Sequence, residues 1–272
     1  MNLVVCIKQV PAVSELPWDP QSGTLKRNLA EGMMNPACRH ALEAALRLKE
    51  IHGGYITAIS MGPPAAAEIL HEALALGADK AVLLSDPKLA GGDTLATSYT
   101  LGRAIYKLCP DFDLVLCGCH TSDSETAQVG PQLCVELDIP GVANVEHLQV
   151  RGRTLIMRRL ADNFLETLEM DLPGLVTVTT KQYLPRYASL GGLNEAFQSS
   201  EVRTLTAADL DLDGDKVGVA GSATRIRAVY APQAAKENVV LKGAVKDIVE
   251  ELFNRFGDRI AGAIGKDLNG RQ

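Results

Sequence analysis

Short apolar runs alternate with amphipathic helical segments through the first half of the chain, and that alternation decides the fold class. The runs are "LVVCIKQV" (3–10), "YITAISMG" (55–62), "KAVLLSD" (80–86) and "FDLVLCG" (112–118). Between them lie "NPACRHALEAALRLKEIHGG" (35–54), "PPAAAEILHEALALGAD" (63–79) and "GGDTLATSYTLGRAIYKLC" (91–109), and "AQVGPQLCVELD" (127–138) follows. A helix between two strands returns the chain to the end where it started, so successive strands are parallel. Strands covered by helices on both faces are nearly all apolar, as these are. The helices carry their own punctuation. Asn35 is placed to cap the first, Pro36 suits its first turn, and Gly53-Gly54 stops it. Ala41, Leu42, Ala45, Leu46 and Leu48 form its buried stripe.

The pattern changes after about residue 143. "VEHLQVRGRTLIMRRL" and "NFLETLEMDLPGLVTVTT" read as antiparallel strands, the first pair joined by a turn at "RGR". From about 185 the chain is irregular until a last helix, "GAVKDIVEELFNRFG" (243–257), whose apolar set is Val245, Ile248, Val249, Leu252 and Phe253. The expected fold is therefore α/β: a mainly parallel sheet with helices on both faces, plus antiparallel strands and an extended C-terminal arm ending in a helix. The expected division is 1–185 for the nucleotide-binding type of domain and 186–272 for the arm, which needs something to lie against.

Charge and cysteine usage exclude several classes. The net charge of −6 gives no basic surface for neutralising nucleic-acid phosphates. No apolar run reaches the length of a membrane span, and the N-terminal run is too short for a secretory core. Cys6, Cys38, Cys109, Cys117, Cys119 and Cys134 form no CxxC pair, and the five histidines are not spaced to complete a metal site. Buried thiols in a cytoplasmic protein are expected, with no metal.

In an open parallel sheet, ligands bind beyond the C-terminal ends of strands, near the point where strand order reverses. Four loops fall there: "IKQVPAVSE", "SMGPP", "AGGDTLATSYT" and "GCHTSDSETAQVGP". In the third, Asp93, Thr94 and Thr97 sit at a helix N-terminus behind Gly91 and Gly92. Such an end attracts phosphate, and ordinary capping by Asp93 or Thr94 is the competing reading. In the fourth, Asp123, Glu125, Thr126 and Gln128 offer donors and acceptors, Gly130 permits close approach, and Pro131 pre-sets a helix. The GxGxxG fingerprint, the P-loop and the GxSxG elbow do not occur, and no nucleophile and base stand out as a pair. Binding or electron transfer is favoured over hydrolysis, and there is no catalytic residue to name.

Taken together, "CIKQVP", "NPACRHALEAALRLKE", "SMGPP", "ALALGADKAVLLSD", "GDTLATSYTLG", "DLVLCG", "DSETAQVGPQL", "LPGLVTVT" and "PRYASL" resemble the beta (small) subunit of electron-transfer flavoproteins over essentially the whole chain. "GDTLATSYTLG" and "TAQVGP" resemble the bifurcating or nitrogen-fixation-associated type. The resemblance implies a Rossmann-like nucleotide site and an obligate heterodimer with an FAD-containing alpha subunit. It implies FAD in this chain, with NADH as a possible substrate and electron bifurcation as the activity; in the housekeeping type the same site holds structural AMP. By motif, the nucleotide contacts are Ile7, Lys8, Gln9, Val10, Asn35, Met61, Gly62, Asp93, Thr94, Leu95, Ala96, Thr97, Asp123, Thr126, Gln128, Val129 and Gly130. Leu190 matches a partner-docking leucine, the redox partner being a dehydrogenase or quinone reductase. The lysine-rich stretch that many members carry after it is replaced here by "GGLNEAFQSSEV", which holds no lysine. Two other readings share the architecture. A stand-alone adenine-nucleotide module would not need the arm, and a conventional NAD dehydrogenase would need the missing glycine fingerprint.

Overall fold

The computed structural model describes residues 1–12, 18–19, 24–25, 31–198, 202–225, 227 and 239–269. The end of the first loop, 13–15, and part of the expected arm, 226 and 228–238, lie outside the described residues. Strands β1 (Asn2–Cys6), β6 (Tyr55–Met61), β7 (Lys80–Leu84) and β8 (Leu114–Gly118) are the four apolar runs, and helices α1 (Pro36–His52), α2 (Ala67–Leu76), α3 (Thr94–Leu108) and α4 (Val129–Glu136) are the four amphipathic segments. Two short ribbons pair β2 (Gln9–Pro11) with β5 (Gly32–Met34) and β3 (Trp18–Asp19) with β4 (Thr24–Leu25).

Period-two alternation along the strands builds two cores. Leu3, Val5, Ile56, Ala58, Leu114 and Leu116 face the layer that holds Ala41, Leu42 and Ala45 of α1 and Ile69, Leu70 and Ala73 of α2. Val4, Ile59, Val82 and Val115 face Leu101, Ala104 and Ile105 of α3 and Leu133 of α4. The main sheet adds β9 (Gly141–Arg151), β10 (Thr154–Ala161), β11 (Phe164–Asp171), β12 (Gly174–Val178) and β13 (Val202–Leu205). Its order is β11-β10-β9-β12-β8-β1-β6-β7-β13.

The mainly parallel sheet with helices on both faces is as expected, and two details differ. "GLVTV", grouped with the antiparallel strands, runs parallel to both β8 and β9. All five of its residues are buried, as in a strand covered on both faces, whereas β11 is mostly exposed. Only β9, β10 and β11 form the antiparallel meander. The second difference lies after residue 185. "LGGLNEAFQ" is helix α5 (Leu190–Gln198), which packs on α2, and "VRTL" extends the sheet parallel to β7. The compact unit thus runs from Met1 to Ala228, beyond the division expected at 185. The second unit, Val229–Gln272, contains helix α6 (Val245–Asn269). It runs longer than the 243–257 segment, and Val245, Val249, Leu252 and Phe253 are exposed on it.

From β1 the chain moves outward through β6 to β7, then returns to lay β8 on the other side of β1. The strand order therefore reverses between β1 and β8, and their C-terminal ends open a crevice there.

Candidate functional site

The crevice is built from the ends of β1 and β8. Beyond β1, Ile7 is anchored by its N–H to Ile59 O at 2.9 Å, and Lys8 projects towards the loop after β8. Gly118 ends β8 where a Cβ would lie 2.7 Å from the Ala37 carbonyl carbon, so only glycine lets α1 start this close to the strand. Residues 119–128 then cross the mouth of the crevice. Lys8 Nζ donates to both carboxylate oxygens of Asp123 at 2.8 Å, joining the two flanking loops.

Asn35 acts differently from its expected role. It occupies the N-cap position of α1, and its side chain makes no cap hydrogen bond. Instead its Nδ2 donates to His120 O at 2.8 Å, and its Oδ1 accepts from Ser122 N at 3.0 Å. Its backbone N–H bonds Lys8 O at 2.9 Å. With the residue 1% exposed, this buried amide fixes the β8 loop against the end of β1.

The N-termini of α3 and α4 differ in what they leave free. At α3, Asp93 Oδ1 accepts from Leu95 N and Ala96 N at 3.0 and 3.1 Å, so the capping reading describes those donors. Burial pushes the Asp93 carboxyl up, but hydrogen bonds from Ala96, Thr224 and Leu95 outweigh it and hold the group below the usual carboxylate range. At α4, Gln128 holds the cap position without a side-chain cap. Among the described residues, no hydrogen bond takes up the N–H of Gln128, Val129 or Gly130. Glu125 and Ala127, just before them, have φ of 50° and 54°. Left-handed backbone at non-glycine residues costs about 1–2 kcal/mol each and collects where a loop is shaped for a ligand. Gly130 is required, since a Cβ there would meet Thr177 Cγ2 at 2.4 Å.

The site thus brings together Lys8 with Asp123, Asn35 with the β8 loop, and Thr94 with Gln128, whose side chains bond at 2.9 Å. Thr126 is exposed beside Gln128, and Val129 is half-buried. Thr97 is half-buried in the first turn of α3, its N–H on Asp93 O. Gln9 and Val10 pair with Met34 and Met33 in the β2–β5 ribbon, and Gln9 Nε2 reaches Ala65 O at 3.2 Å. Met61 and Gly62 end β6, with Gly62 N on Leu84 O. Leu190 stands on α5, outside the crevice, and is highly exposed. The sequence reading missed His120 and Ser122, which bind Asn35 through their backbone, and Ser222 and Thr224, which bind Asp93. Backbone partners and partners more than a hundred residues distant leave no local signal.

Three free N–H groups at the positive end of α4, with the Lys8 ammonium across the mouth, fit the phosphate of a nucleotide cofactor. The surrounding hydroxyls and carboxylates of the β8 loop fit its sugar. Among the described residues no group of His, Cys, Asp and Glu has metal-binding geometry. None of their helices is long and apolar enough to cross a membrane.

Fold and crevice define the class, a doubly wound α/β chain with its candidate cofactor site at the strand-order reversal. The chain belongs to the electron transfer flavoprotein family: residues 22–210 match the electron transfer flavoprotein domain. It is 41% identical over 259 residues to the electron transfer flavoprotein subunit beta of Thermoanaerobacterium thermosaccharolyticum, covering 95% of this chain and 99% of the relative. The caffeyl-CoA reductase-Etf complex subunit CarD of Acetobacterium woodii is 36% identical, with coverage of 95% and 99%. Protein FixA of Sinorhizobium fredii is 37% identical, with coverage of 94% and 92%. The beta-subunit resemblance read from the motifs is borne out along the chain.

Proposed function

We propose that this chain pairs with an FAD-containing alpha subunit and holds a second FAD in the crevice between β1 and β8. Together the subunits pass electrons from NADH or a dehydrogenase to downstream acceptors by flavin-based bifurcation. The observation that carries the reading is the set of uncommitted N–H donors at the start of α4, beside the Lys8–Asp123 pair. The likeness to a subunit of a caffeyl-CoA reductase complex supports a dedicated reductase as redox partner.

The bound flavin would supply hydride acceptance and one-electron transfer. The residues of this chain bind and orient it. Gln128, Val129 and Gly130 would donate to its phosphate, and Asn35 keeps the loop that carries them closed against β1. The Lys8 ammonium sets a positive potential at the crevice mouth, tempered by Asp123. The β2–β5 ribbon and the end of β6 cover the adjoining side.

The test is a nucleotide count on the purified heterodimer after denaturation. Two FAD per heterodimer with little AMP is the expected result. One FAD and one AMP would refute FAD in this crevice and leave a carrier with a structural nucleotide, since the phosphate donors serve either.

A further inference from the structure

Gly91 and Gly92 invite a phosphate when read as sequence, and the structure puts protein against them. A strap, residues 217–225, passes over the entrance to α3. A Cβ on Gly91 would lie 2.8 Å from Val219 Cγ2, and one on Gly92 would lie 3.4 Å from Gly218 Cα. Gly218 itself has φ of +54°, and a Cβ there would lie 2.1 Å from Lys88 O. Asp93 fastens the strap. Thr224 donates to Asp93 Oδ2 twice, from N at 2.8 Å and Oγ1 at 2.9 Å. Asp93 N donates to Ser222 Oγ at 2.8 Å, and Ser222 Oγ donates on to Gly218 O at 2.7 Å. The other carboxylate oxygen caps α3. The next residue, Thr94, holds Gln128 at the free end of α4.

We propose that Asp93 is a positioning residue that couples the seating of the 217–225 strap to cofactor binding at the α4 N-terminus. The proposal rests on the cofactor reading of that crevice. A carboxylate has about four acceptor positions, and four donors of this chain fill them, so its orientation is fixed from both sides. Releasing Thr224 frees the carboxylate to turn. The first turn of α3 then loses its fixed cap, and Thr94 loses its hold on Gln128. The strap is thus fastened to the residue that caps α3, next in sequence to the one that holds Gln128. Coupling of this kind is reciprocal: bound nucleotide steadies the strap by the factor by which the seated strap tightens nucleotide.

Asp93→Asn separates the two roles. The amide oxygen can still reach Leu95 and Ala96, but the amide nitrogen cannot accept from Thr224, so the group is no longer fixed from both sides. Gly218→Ala unseats the strap by its contact with Lys88 O and leaves Asp93 whole. The wild type and both variants, each as the complex with the alpha subunit, are stripped of nucleotide and titrated with FAD and, separately, AMP. Hydrogen exchange is followed at residues 222–224. The expected result is faster exchange and about tenfold weaker nucleotide binding in both variants, the loss of charge-assisted hydrogen bonds. In the wild type, nucleotide slows exchange at 222–224. Fast exchange with wild-type affinity would overturn the coupling and leave a structural fastening, and unchanged exchange in Asp93→Asn would overturn the fastening as well. If the wild type bound neither nucleotide, the cofactor reading itself would fall, a result distinct from equal binding by wild type and variants.

Discussion

Replacing Arg186 by Met tests whether the segment after β12 is held by a buried ion pair. Glu43, on α1, is 3% exposed. Arg186 Nε donates to its Oε2 at 2.8 Å and Nη2 to its Oε1 at 3.1 Å, while Arg47 Nε reaches Oε1 at 2.8 Å. Arg186 Nη1 also binds Glu50 at 2.6 Å. Burial pushes the Glu43 carboxyl up, but the hydrogen bonds and charge of Arg186 and the bond from Arg47 outweigh it, and the net shift is down. Breaking a buried pair costs about 3–5 kcal/mol because the remaining charge is stranded. Arg47 stays behind and Arg186 is partly open to water, so the lower end, about 3 kcal/mol, applies. For a unit the size of Met1–Ala228 that is roughly 6–12 °C in Tm. The sign of the pH dependence follows from the shift. In the wild type, the contribution is complete above the ordinary glutamate value of about 4.3 and is lost as pH falls through the lowered folded value. In Arg186→Met, burial dominates and raises the Glu43 pKa, so the deficit is largest at neutral pH and shrinks towards pH 5. Thermal unfolding of the complex at pH 7.5 and pH 5, with Glu43→Gln/Arg186→Met as a further variant, measures this. The double variant should recover much of the loss. A Tm within 2 °C of wild type for Arg186→Met, or a double variant no better than it, would refute the stranded-charge argument.

Asn35→Ala removes both side-chain bonds to the β8 loop and should weaken nucleotide binding by about tenfold or more, with faster exchange at residues 119–124; unchanged affinity would show that the loop closes without it. A hydrogen bond with Cys6 together with burial pushes the Cys117 thiol up, and burial pushes Cys38 up. At pH 8 a thiol reagent should label neither until the chain unfolds, and mass spectrometry of labelled peptides reads the outcome. Leu190→Ala should lower kcat/KM for the redox partner several-fold, with a shallow dependence on ionic strength because the stretch from 190 to 202 holds no lysine or arginine; a steep salt dependence would locate docking on a charged surface elsewhere.

The sheet and its helices were legible because their signal is repeated along the chain. Each apolar run gives a doubly covered strand, and each stripe such as Ala41, Leu42 and Ala45 gives a helix face. "GLVTV" carries the same signal, and its place after three antiparallel strands and a short turn hides it. Its burial on both faces, and not its neighbours in sequence, decides its direction. "VRTL" is too short to announce itself. It is a strand because the free edge of β7 supplies a partner for its backbone.

The loops that flank the strand-order reversal were legible in the sequence, the roles of their residues less so. Gly-Gly-Asp-Thr before a helix is what a phosphate loop and a packed, capped entrance have in common: both need room for close approach and a polar residue at the N-cap. What separates them is whether the N–H groups are already satisfied, and at α3 Asp93 satisfies them while the strap fills the space above the glycines. Asn35 shows the same limit from the other side. An Asn before Pro reads as a cap, yet its amide can serve a loop brought alongside by the β1–β8 pairing, and that pairing sets which donors it meets. The N-terminus of α4, by contrast, begins with Gln128, a residue that does not cap with its side chain and is itself held by Thr94. A poor capping residue at a strand-order reversal thus leaves donors uncommitted, and in this chain it marks the crevice more sharply than the glycines do.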